Sequence, residues 1–380
     1  MTVSALIVAA GKGERLGGDV PKQYRPIGGK PVLRWAVEAM AGHRSIDHVR
    51  VVVGAGQEAI AKTLLEGLPI GELIRGGAER SDSVLNGLRA IAEGTVLVHD
   101  AARPFCPPAV IDRLLTALKD SDGAVPVLPV ADTLAFGDGT LDAPVDRKGL
   151  LRVQTPQAFH VEDLIYAYEE AGRAAATDES TVMLAAGLKV TTVEGDPMLE
   201  KLTTQADWNR AESIIASRMV PRTGMGFDVH GFAGEGPIML GGIAVPHSRG
   251  LAGHSDADVV LHAITDALLG AAGLGDIGEH FPPSDPQWKG ASSDLFLSRA
   301  AALISERNGT IDHVDCTIVA EEPKVGPHRS AIRERIAAIL GLRINQVSIK
   351  ATTTEGLGFT GRREGIAAQA VASIRMMPNA

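Results

Sequence analysis

The sequence is poor in cysteine and has no long apolar run, and each shortage excludes a class of protein. Only two cysteines occur among 380 residues, Cys106 and Cys316. Two distant thiols argue against a disulfide-stapled secreted fold and against a zinc site built from cysteine. The N-terminus lacks the features of a signal peptide, and no apolar run reaches membrane-spanning length. We therefore expect a cytoplasmic protein with no membrane partner.

Positive charge is also in short supply. Asp and Glu outnumber Lys and Arg by 46 to 37, and aromatic residues make up only 4% of the chain. Nucleic-acid binding usually depends on a basic surface, so the sequence predicts no nucleic-acid partner. An anionic ligand would have to be bound by a few local cations and by backbone amides.

The chain is long enough for two domains, and its first half alternates short apolar runs with amphipathic stretches. Buried strands are predicted at 4–10, 48–54 and 95–99, with helices near 31–41 and over 81–92. This alternation predicts an α/β fold, a Rossmann-like domain with a mostly parallel sheet and helices on both faces.

The second half begins after a predicted closing helix over 206–219 and a short link, VPRTG, that contains Pro221. Its predicted elements are a short strand that reaches 226–230, helices over 256–273 and 327–340, and strands at 311–319 and 345–351. We therefore expect one domain over 1–220 and a smaller α+β, metal-binding domain over 221–380.

A glycine-rich loop follows the first predicted strand, in the sequence LIVAAGKGERLGGDVPKQY (6–24). Glycine lets backbone N–H groups approach phosphate, and Arg15 and Lys22 supply positive charge beside the loop. Leu16 stands where the dinucleotide-binding fingerprint has glycine, and no Gly-Lys-Ser/Thr of a Walker loop occurs. Taken alone, the loop is equally compatible with an ordinary strand–helix turn.

Three further segments accompany this loop: GGAERSDSV (76–84), VLVHDAARP (96–104) and RVQTPQAF (152–159). With these motifs, residues 3–217 resemble the 2-C-methyl-D-erythritol 4-phosphate cytidylyltransferases. The resemblance implies transfer of CMP from CTP to methylerythritol phosphate, release of pyrophosphate, and Mg²⁺ or Mn²⁺ on the nucleotide phosphates. Val8 departs from the proline that many relatives carry, with little expected consequence.

The same resemblance implies roles for individual residues. Arg15 and Lys22 would stabilise the transition state. The implied nucleotide-binding residues are Ala9, Ala10, Gly11, Gly13, Gly77 and Ser83. The implied polyol or phosphate contacts are Asp100, Arg103, Thr133, Thr155, Arg147 and Lys201, the last two also catalytic. Thr133 and Arg147 would lie on an arm, the irregular stretch 130–155, that crosses to a dimer partner.

Each of these residues has a plainer reading as well. A lone arginine or lysine is usually a solvated surface charge, and Asp100 could simply cap a turn. Its position after a predicted strand favours a site, because open α/β sheets bind ligands at strand ends.

The second half carries a different constellation, beginning with GFDVH. Asp228 and His230 lie two residues apart, so on a strand they face the same side. His262, in HSDADVVLHAITDALLG (254–270), is the third candidate ligand. An Asp/His/His set leaves one position of tetrahedral Zn²⁺ open, as in catalytic sites. Asp266, one helical turn further, is expected to orient the His262 ring. The alternative reading for His230 is an ordinary strand histidine.

Further motifs surround this constellation: LGG (240–242), HSDADV (254–259), GDIGEHFP (275–282) and ATTTEGLGFTGRREGIA (351–367). Residues 222–376 thereby resemble the 2-C-methyl-D-erythritol 2,4-cyclodiphosphate synthases. The resemblance implies that 4-CDP-2-C-methyl-D-erythritol 2-phosphate is cyclised and CMP released. It also implies Zn²⁺, or another divalent ion, at the Asp/His/His set and a Mg²⁺ or Mn²⁺ near Glu355. Pro283 replaces an aspartate of some relatives, which puts one substrate contact in doubt.

Other positions match the binding surface of this second family. The implied substrate contacts are His254, Ser255, Glu355, Phe359 and Arg362. The implied nucleotide contacts are Asp276, Gly278, Lys324 and Thr352, with Thr353 catalytic. In this family three subunits share each site. A trimeric second half joined to a dimeric first half implies a larger homo-oligomer such as a hexamer.

The two implied reactions are not consecutive, because the second substrate carries a further phosphate. No kinase motif is evident, so a separate kinase is a candidate partner. Two other readings stay open at this stage. In the first, the N-terminal half activates another polyol phosphate, such as ribitol phosphate. In the second, one half is a non-catalytic scaffold. The charged residues retained in both halves argue against a scaffold.

Overall fold

The computed structural model describes residues 2–11, 20–91, 93–171, 178–282, 285–288 and 290–378. The chain forms two compact units, Met1–Ile214 and Ile215–Ala380. Each unit encloses its own apolar core. Among the described residues, no helix is long and apolar enough to cross a lipid bilayer.

The first unit is built around a twisted sheet with the strand order β10-β7-β11-β6-β1-β4-β5, and β12 pairs with β7. Its strands are β1 (Val3–Ala9), β2 (Pro26–Ile27), β3 (Lys30–Pro31), β4 (His48–Val53), β5 (Ile74–Arg75), β6 (Thr95–Asp100), β7 (Gly123–Pro129), β8 (Leu134–Gly137), β9 (Leu141–Val145), β10 (Leu151–Val153), β11 (Gln157–His160) and β12 (Val190–Glu194). Its helices are α1 (Val32–Ala41), α2 (Glu58–Leu64), α3 (Arg80–Arg89), α4 (Pro108–Ala117), α5 (Val161–Ala171), α6 (Glu179–Ala185) and α7 (Gln205–Arg218).

The central strands β6, β1, β4 and β5 are parallel, whereas β11 runs antiparallel to its neighbours. Alternate residues of β1 enter different cores. Ile7 joins the core that contains Leu33 of α1, and Leu6 joins the core that contains Val84 of α3. Helices therefore cover both faces, which confirms the predicted α/β architecture.

The predicted arm over 130–155 is only partly irregular. Strands β8 and β9 pair with each other as a separate two-stranded sheet, while β10 joins the main sheet beside β7. Large apolar side chains are exposed on this hairpin, with Phe136 69% and Leu141 85% accessible. The arm therefore presents apolar surface without a partner inside its own unit.

The second unit contains a sheet with the strand order β16-β13-β19-β17-β18 and a separate β14-β15 hairpin. Its strands are β13 (Val220–Ala233), β14 (Ile238–Leu240), β15 (Ile243–Val245), β16 (Gly250–Leu251), β17 (Thr310–Val319), β18 (Val347–Thr352) and β19 (Gly365–Met376). Its helices are α8 (Val259–Ala272), α9 (Ile277–His280), α10 (Ser293–Glu306), α11 (Arg329–Leu340) and α12 (Gly358–Gly361).

The expected short link at VPRTG is wrong. Val220 to Gly224 are the first residues of the long strand β13 and pair with β19 from Met376 back to Ala372. The sequence reading did not predict β19 as a strand, so this segment had no apparent partner.

Helix α8 packs directly on β13 because two glycines of the strand leave room for it. A Cβ atom added at Gly226 would lie 2.0 Å from the Ala263 carbonyl oxygen, and one at Gly224 would lie 2.2 Å from that of Ala267. Both distances are far below van der Waals contact. The backbones of α8 and β13 are therefore closer than any side chain on these positions would permit.

Both cysteines lie in the apolar cores. Cys106 belongs to the core of the first unit and Cys316 lies on β17 in the core of the second. Burial raises the pKa of each thiol to about 12. Neither thiol is therefore set up as a nucleophile or a metal ligand.

Candidate active sites

The nucleotide loop begins where β1 ends. Gln23 Nε2 donates to the carbonyl oxygens of Ala9 and Gly11, both at 2.8 Å, and so fixes the start of the loop. Lys22 Nζ donates to the Leu202 carbonyl oxygen at 2.7 Å. Gly13 and Arg15 lie outside the described residues.

The segment after β5 lies against this loop. A Cβ atom at Gly76 would be 2.6 Å from Ala10 Cβ, so the two segments touch closely. Ser83 Oγ accepts a hydrogen bond from Gly77 N at 3.1 Å and lies 3.1 Å from the Glu79 carbonyl oxygen. The structure therefore brings Ala10, Gly77 and Ser83 together.

Asp100 lies at the end of β6 and is held by two cations. Its Oδ2 accepts from Lys201 Nζ at 2.7 Å and its Oδ1 from Arg80 Nη2 at 3.1 Å. Burial by itself would raise the pKa of Asp100, but the charges of Arg80, Lys201 and Arg103 outweigh it and hold this pKa well below its usual range. Thr155 Oγ1 accepts from the Asp100 backbone N–H at 3.1 Å. The Asp100 carboxylate is therefore ionised, and its two cationic partners fix its orientation.

Two residues of this network escaped the sequence reading. Arg80 forms a second pair with Glu179, at 2.6 Å and 3.0 Å, and the Glu179 side chain is completely buried. Tyr168 donates to the same carboxylate at 3.0 Å. Lys201, Asp100, Arg80 and Glu179 thus form a chain of alternating charge. Arg80 lay within the quoted motif GGAERSDSV, whereas nothing in the sequence links Glu179 to it.

A cavity of about 260 Å³ adjoins Lys201. Arg103 and Arg152 also line it, and Arg152 was not singled out from the sequence. Arg103 Nη1 donates to the Leu199 carbonyl, while its buried Nε has no hydrogen-bond partner. Burial, reinforced by nearby Arg80 and Arg152, lowers the pKa of Arg103 despite Asp100. Two carboxylates, Glu200 and Asp207, also line the cavity, and both are paired with Arg210. The three cations Arg103, Arg152 and Lys201 therefore remain to suit a phosphate ester.

The arm residues are not part of this network. Thr133 precedes β8 and is exposed, and Arg147 donates to the Ala131 carbonyl within the same arm. In the described part of the chain, no hydrogen bond or ion pair connects either residue to Asp100.

The second site lies where β13 meets α8. Asp228 Oδ2 is 3.0 Å from His230 Nε2 and 3.0 Å from His262 Nδ1. The two imidazole nitrogens are 3.1 Å apart. The structure brings these three residues together, and one ligand atom of each lies within 4.8 Å of the others.

Outer hydrogen bonds fix which atoms face this point. His230 Nδ1 lies 2.7 Å from the Ala252 carbonyl oxygen, which can only accept, so Nδ1 carries the proton and Nε2 presents a lone pair. Burial opposes the charged forms, yet the Asp228 carboxylate raises the pKa of His230. In return the two imidazoles hold the pKa of Asp228 well below its usual range, against the effect of its burial.

This donor set fits a divalent cation. A carboxylate oxygen and two imidazole nitrogens within about 3 Å of one another direct lone pairs at the same space, which a shared proton or a metal cation neutralises. One carboxylate and two imidazoles leave a tetrahedral ion open on one side.

The expectation that Asp266 orients His262 is wrong. Asp266 Oδ1 instead accepts from Ile277 N at 2.8 Å, at the start of α9. His262 Nε2 lies 2.8 Å from Ser293 Oγ and 3.1 Å from Ser255 Oγ. Helical spacing placed Asp266 near His262, but Ser293, the first residue of α10, provides the partner.

The remaining predicted residues of this unit lie outside the Asp/His/His set, on loops and on elements further along the chain. His254 and Lys324 are exposed, and Asp276 caps α9, which contains Gly278, by accepting from Glu279 N. Thr352 Oγ1 donates to the Thr353 carbonyl oxygen at 3.2 Å, and Thr353 Oγ1 donates to Glu355 at 2.6 Å. Arg362 pairs with Glu364 at 2.9 Å, and Phe359 is 37% exposed. None of these contacts excludes a ligand.

Known proteins align with both units. The family model described as 2-C-methyl-D-erythritol 4-phosphate cytidylyltransferase matches residues 3–217, and the YgbB family model matches residues 221–375. The bifunctional enzyme IspD/IspF of Rhizorhabdus wittichii is 59% identical over 376 residues, which are 99% of this chain and 98% of that protein. That of Sphingopyxis alaskensis is 51% identical over 381 residues, covering 98% of this chain and 96% of the relative.

A solved structure extends the likeness to the fold. The bifunctional IspDF from Campylobacter jejuni aligns over 99% of both chains, with 32% sequence identity and a TM-score of 0.50. Identity of this extent along the whole length covers both units and both sites. The chain therefore belongs to the family of bifunctional IspD/IspF enzymes, which carry a cytidylyltransferase and a cyclodiphosphate synthase of the methylerythritol phosphate route to isoprenoids on one polypeptide.

Proposed function

We propose that the two activities are divided between the two halves. Residues 1–220 transfer CMP from CTP to 2-C-methyl-D-erythritol 4-phosphate, and residues 221–380 cyclise 4-CDP-2-C-methyl-D-erythritol 2-phosphate. The observation that carries this proposal is that the cationic cavity and the Asp/His/His cluster lie in different compact units. Both reactions take place in the cytoplasm, and a separate kinase supplies the phosphate that the second substrate requires.

In the first half, a phosphate oxygen of the polyol attacks the α-phosphorus of CTP and pyrophosphate leaves. Arg15 and Lys22 stabilise the negative charge that develops on the transferring phosphate. The nucleotide is held by Ala9, Ala10, Gly11, Gly13, Gly77 and Ser83, and Mg²⁺ or Mn²⁺ neutralises its phosphates.

The polyol phosphate occupies the cavity beside the Asp100 network. Lys201 and Arg103 line it and attract the phosphate, while the ionised Asp100 accepts a hydroxyl hydrogen bond. The Thr155 hydroxyl oxygen accepts from the backbone N–H of Asp100 and so fixes the position of that residue. Thr133 and Arg147 act from the arm of a dimer partner.

In the second half, the 2-phosphate attacks the β-phosphorus of the CDP group, an eight-membered ring closes and CMP leaves. Asp228, His230 and His262 hold Zn²⁺, or another divalent ion, which when bound offsets the charge of two phosphates that must approach each other. Glu355 would lie near the Mg²⁺ or Mn²⁺ that neutralises the diphosphate of the substrate. The substrate is contacted by His254, Ser255, Phe359 and Arg362. Its nucleotide part is contacted by Asp276, Gly278, Lys324 and Thr352. Thr353 acts in catalysis.

The assembly is a homo-oligomer, with the first halves paired and the second halves in threes, such as a hexamer. Exposed apolar side chains support this proposal. Met225, Phe227 and Val229 alternate along the outer face of β13 and are 63%, 57% and 38% accessible, and Phe136 projects from the arm. Apolar surfaces of this kind usually mark interfaces.

One experiment tests the division of labour. Pyrophosphate release with methylerythritol 4-phosphate and Mg²⁺ is measured for CTP, UTP, ATP and GTP, and CMP release is measured with the cyclase substrate. Wild-type protein should release pyrophosphate with CTP alone. Lys22→Ala should lose pyrophosphate release and keep CMP release, and His262→Ala should do the reverse.

Two outcomes would contradict the proposal. If none of the four nucleotides supports pyrophosphate release, the first half lacks the proposed activity. Loss of both activities in either folded variant would mean that the two sites depend on each other, and circular dichroism of each variant checks that it is folded.

A further inference from the structure

The outer side of His262 is held by a pair of residues to which no role has been given above. His262 Nε2 lies 2.8 Å from Ser293 Oγ, and Ser293 Oγ in turn hydrogen-bonds an Asp256 carboxylate oxygen. The Ser293 side chain is completely buried. An inference drawn from this pair rests on the proposed metal site, because its consequence is expressed at His262.

The direction of each hydrogen bond follows from the carboxylate. Both oxygens of the Asp256 carboxylate accept from Ser293, one from its N–H and one from its hydroxyl, so the single hydroxyl proton of Ser293 is donated to Asp256. Ser293 Oγ then has only lone pairs left for His262, and His262 Nε2 must be the donor. A neutral imidazole with its proton on Nε2 presents the lone pair of Nδ1, which is the atom that faces Asp228 and His230.

Ser255 offers a weaker alternative partner. Its hydroxyl oxygen is 3.1 Å from His262 Nε2 and also accepts from Ala257 N at 3.2 Å. Among the described residues, no carboxylate accepts a hydrogen bond from it to fix its proton. Ser293, closer and polarised by an anion, is therefore the stronger acceptor.

The surrounding backbone keeps this pair in place. Gly290 N donates to the His254 carbonyl at 2.8 Å and Asp256 N donates to the Ala291 carbonyl at 3.1 Å, so the loops before α8 and α10 are joined. The second carboxylate oxygen of Asp256 accepts from Ser293 N at 3.1 Å. Asp256 thus accepts hydrogen bonds from both the backbone N–H and the hydroxyl of Ser293.

We propose that Ser293, fixed by Asp256, is a positioning residue for the metal site. It selects the His262 tautomer that directs Nδ1 toward Asp228 and His230, and it sets the direction of the ring. Partners of this kind behind a ligating histidine typically change metal affinity by about 10- to 100-fold. Neither residue is one of the three candidate metal ligands.

A purely structural role for Asp256 is the competing explanation, since it also accepts from the first N–H of α10. The two explanations differ in what they predict for the folded protein. A helix cap contributes to stability and leaves metal affinity unchanged once the protein is folded. A positioning pair changes metal affinity at constant fold.

The test uses two variants of the full chain that act on different atoms. Ser293→Ala removes the hydroxyl acceptor and leaves the Ser293 N–H bonded to Asp256. Asp256→Asn introduces an amide donor toward Ser293 Oγ, which turns the hydroxyl proton toward His262 and favours the wrong tautomer. Ser292→Ala is the matched control, because Ser292 is exposed and its side chain makes no cap hydrogen bond.

Affinity is measured with Zn²⁺ alone, by competition between metal-free protein and a chromophoric chelator. The visible absorption spectrum of the Co²⁺-loaded protein reports coordination geometry. We expect the zinc Kd to rise about tenfold in Ser293→Ala and by 10- to 100-fold in Asp256→Asn, with altered cobalt spectra. Ser292→Ala should match wild type, and CMP transfer from CTP by the first half should be unchanged in all three.

The inference is overturned if both variants bind zinc with wild-type affinity and give the wild-type cobalt spectrum. His262→Ala separates this failure from failure of the metal site itself. If that variant also binds zinc normally, the metal assignment is wrong; if it alone loses zinc, only the Ser293 role is wrong. Should Ser293→Ala not fold, as thermal unfolding of the metal-free protein would reveal, Ser293→Cys keeps the volume with a weaker acceptor, and its zinc Kd must still exceed that of Ser292→Ala.

Discussion

Arg152 carries a positive charge that no carboxylate of the described residues neutralises through an ion pair. It lines the same cavity as Arg103 and Lys201. Lys201 is already paired with Asp100, and the lining carboxylate Glu200 is paired with Arg210, whereas Arg152 has no such partner among the described residues. Like charges held this close repel each other, so an anion in the cavity relieves the repulsion as well as gaining hydrogen bonds.

Replacing Arg152 should therefore weaken binding of the polyol phosphate. We expect Arg152→Ala to raise the KM for methylerythritol 4-phosphate about 10-fold or more, because a hydrogen bond between charged groups contributes about 1.5–3 kcal/mol. The kcat should change little, since the residue does not touch the phosphorus that reacts. Steady-state kinetics with saturating CTP measures both constants. Arg89→Ala, at an exposed position on α3, is the control, and equal KM values for the two variants would exclude Arg152 from the site.

Residues that meet across long sequence distances mark the limit of what the sequence could reveal here. Asp228 and His230 could be predicted because strand geometry places neighbours at i and i+2 on one side. Glu179 and Ser293 could not, since each reaches its partner from a separate helix, and a buried glutamate or serine has no distinguishing local pattern. The same reason explains the error at Asp266, where helical spacing suggested a partner that tertiary packing assigned elsewhere.

At the scale of elements, the geometry of the Asp/His/His set depends on how closely α8 approaches β13. His262 is carried by the helix and Asp228 and His230 by the strand, so a shift of one element against the other separates the ligands. Gly226 precedes Asp228 by two residues on β13 and faces the backbone of α8. Strand and helix could each be predicted from periodicity, but their separation is determined by a glycine whose role appears only in the packed structure.

A methyl group at Gly226 should therefore disrupt the site. The added Cβ would lie 2.0 Å from the Ala263 carbonyl oxygen and 2.8 Å from Ala267 N, so α8 must move away. We expect Gly226→Ala to lower the free energy of unfolding of the second unit by about 3 kcal/mol and to lose zinc. Urea unfolding and zinc content measure these effects.

Gly231→Ala provides the comparison on the same strand. A Cβ atom there would meet nothing closer than 3.7 Å, so this variant should keep both stability and zinc. Similar behaviour of the two variants would mean that loss of glycine flexibility, and not contact with α8, is responsible.

At the scale of the whole molecule, the chain leaves apolar surface exposed on both units. The outer face of β13 and the β8–β9 hairpin each carry large side chains that their own unit does not cover. The irregular composition of 130–155 indicated an arm, but the exposed strand face could not be predicted because apolar alternation along β13 looks the same on a buried face.

A charge on this strand face should reduce the size of the assembly. We expect Met225→Glu to give a smaller species than wild type in light scattering, because a carboxylate buried in an apolar interface is strongly unfavourable. Leu184→Glu, at a position 61% exposed on α6 of the first unit, should leave the mass unchanged. An unchanged mass for Met225→Glu would show that this face is not an interface.

The burial of both thiols gives the protein a practical property. At neutral pH a pKa near 12 leaves almost no thiolate at Cys106 or Cys316, and the surrounding core shields both sulfurs from reagents. A maleimide dye would therefore react selectively with a cysteine introduced on the surface, with no need to remove the natural ones. With one such cysteine in each half, fluorescence energy transfer would report the distance between the two catalytic units in solution and its change when either substrate binds.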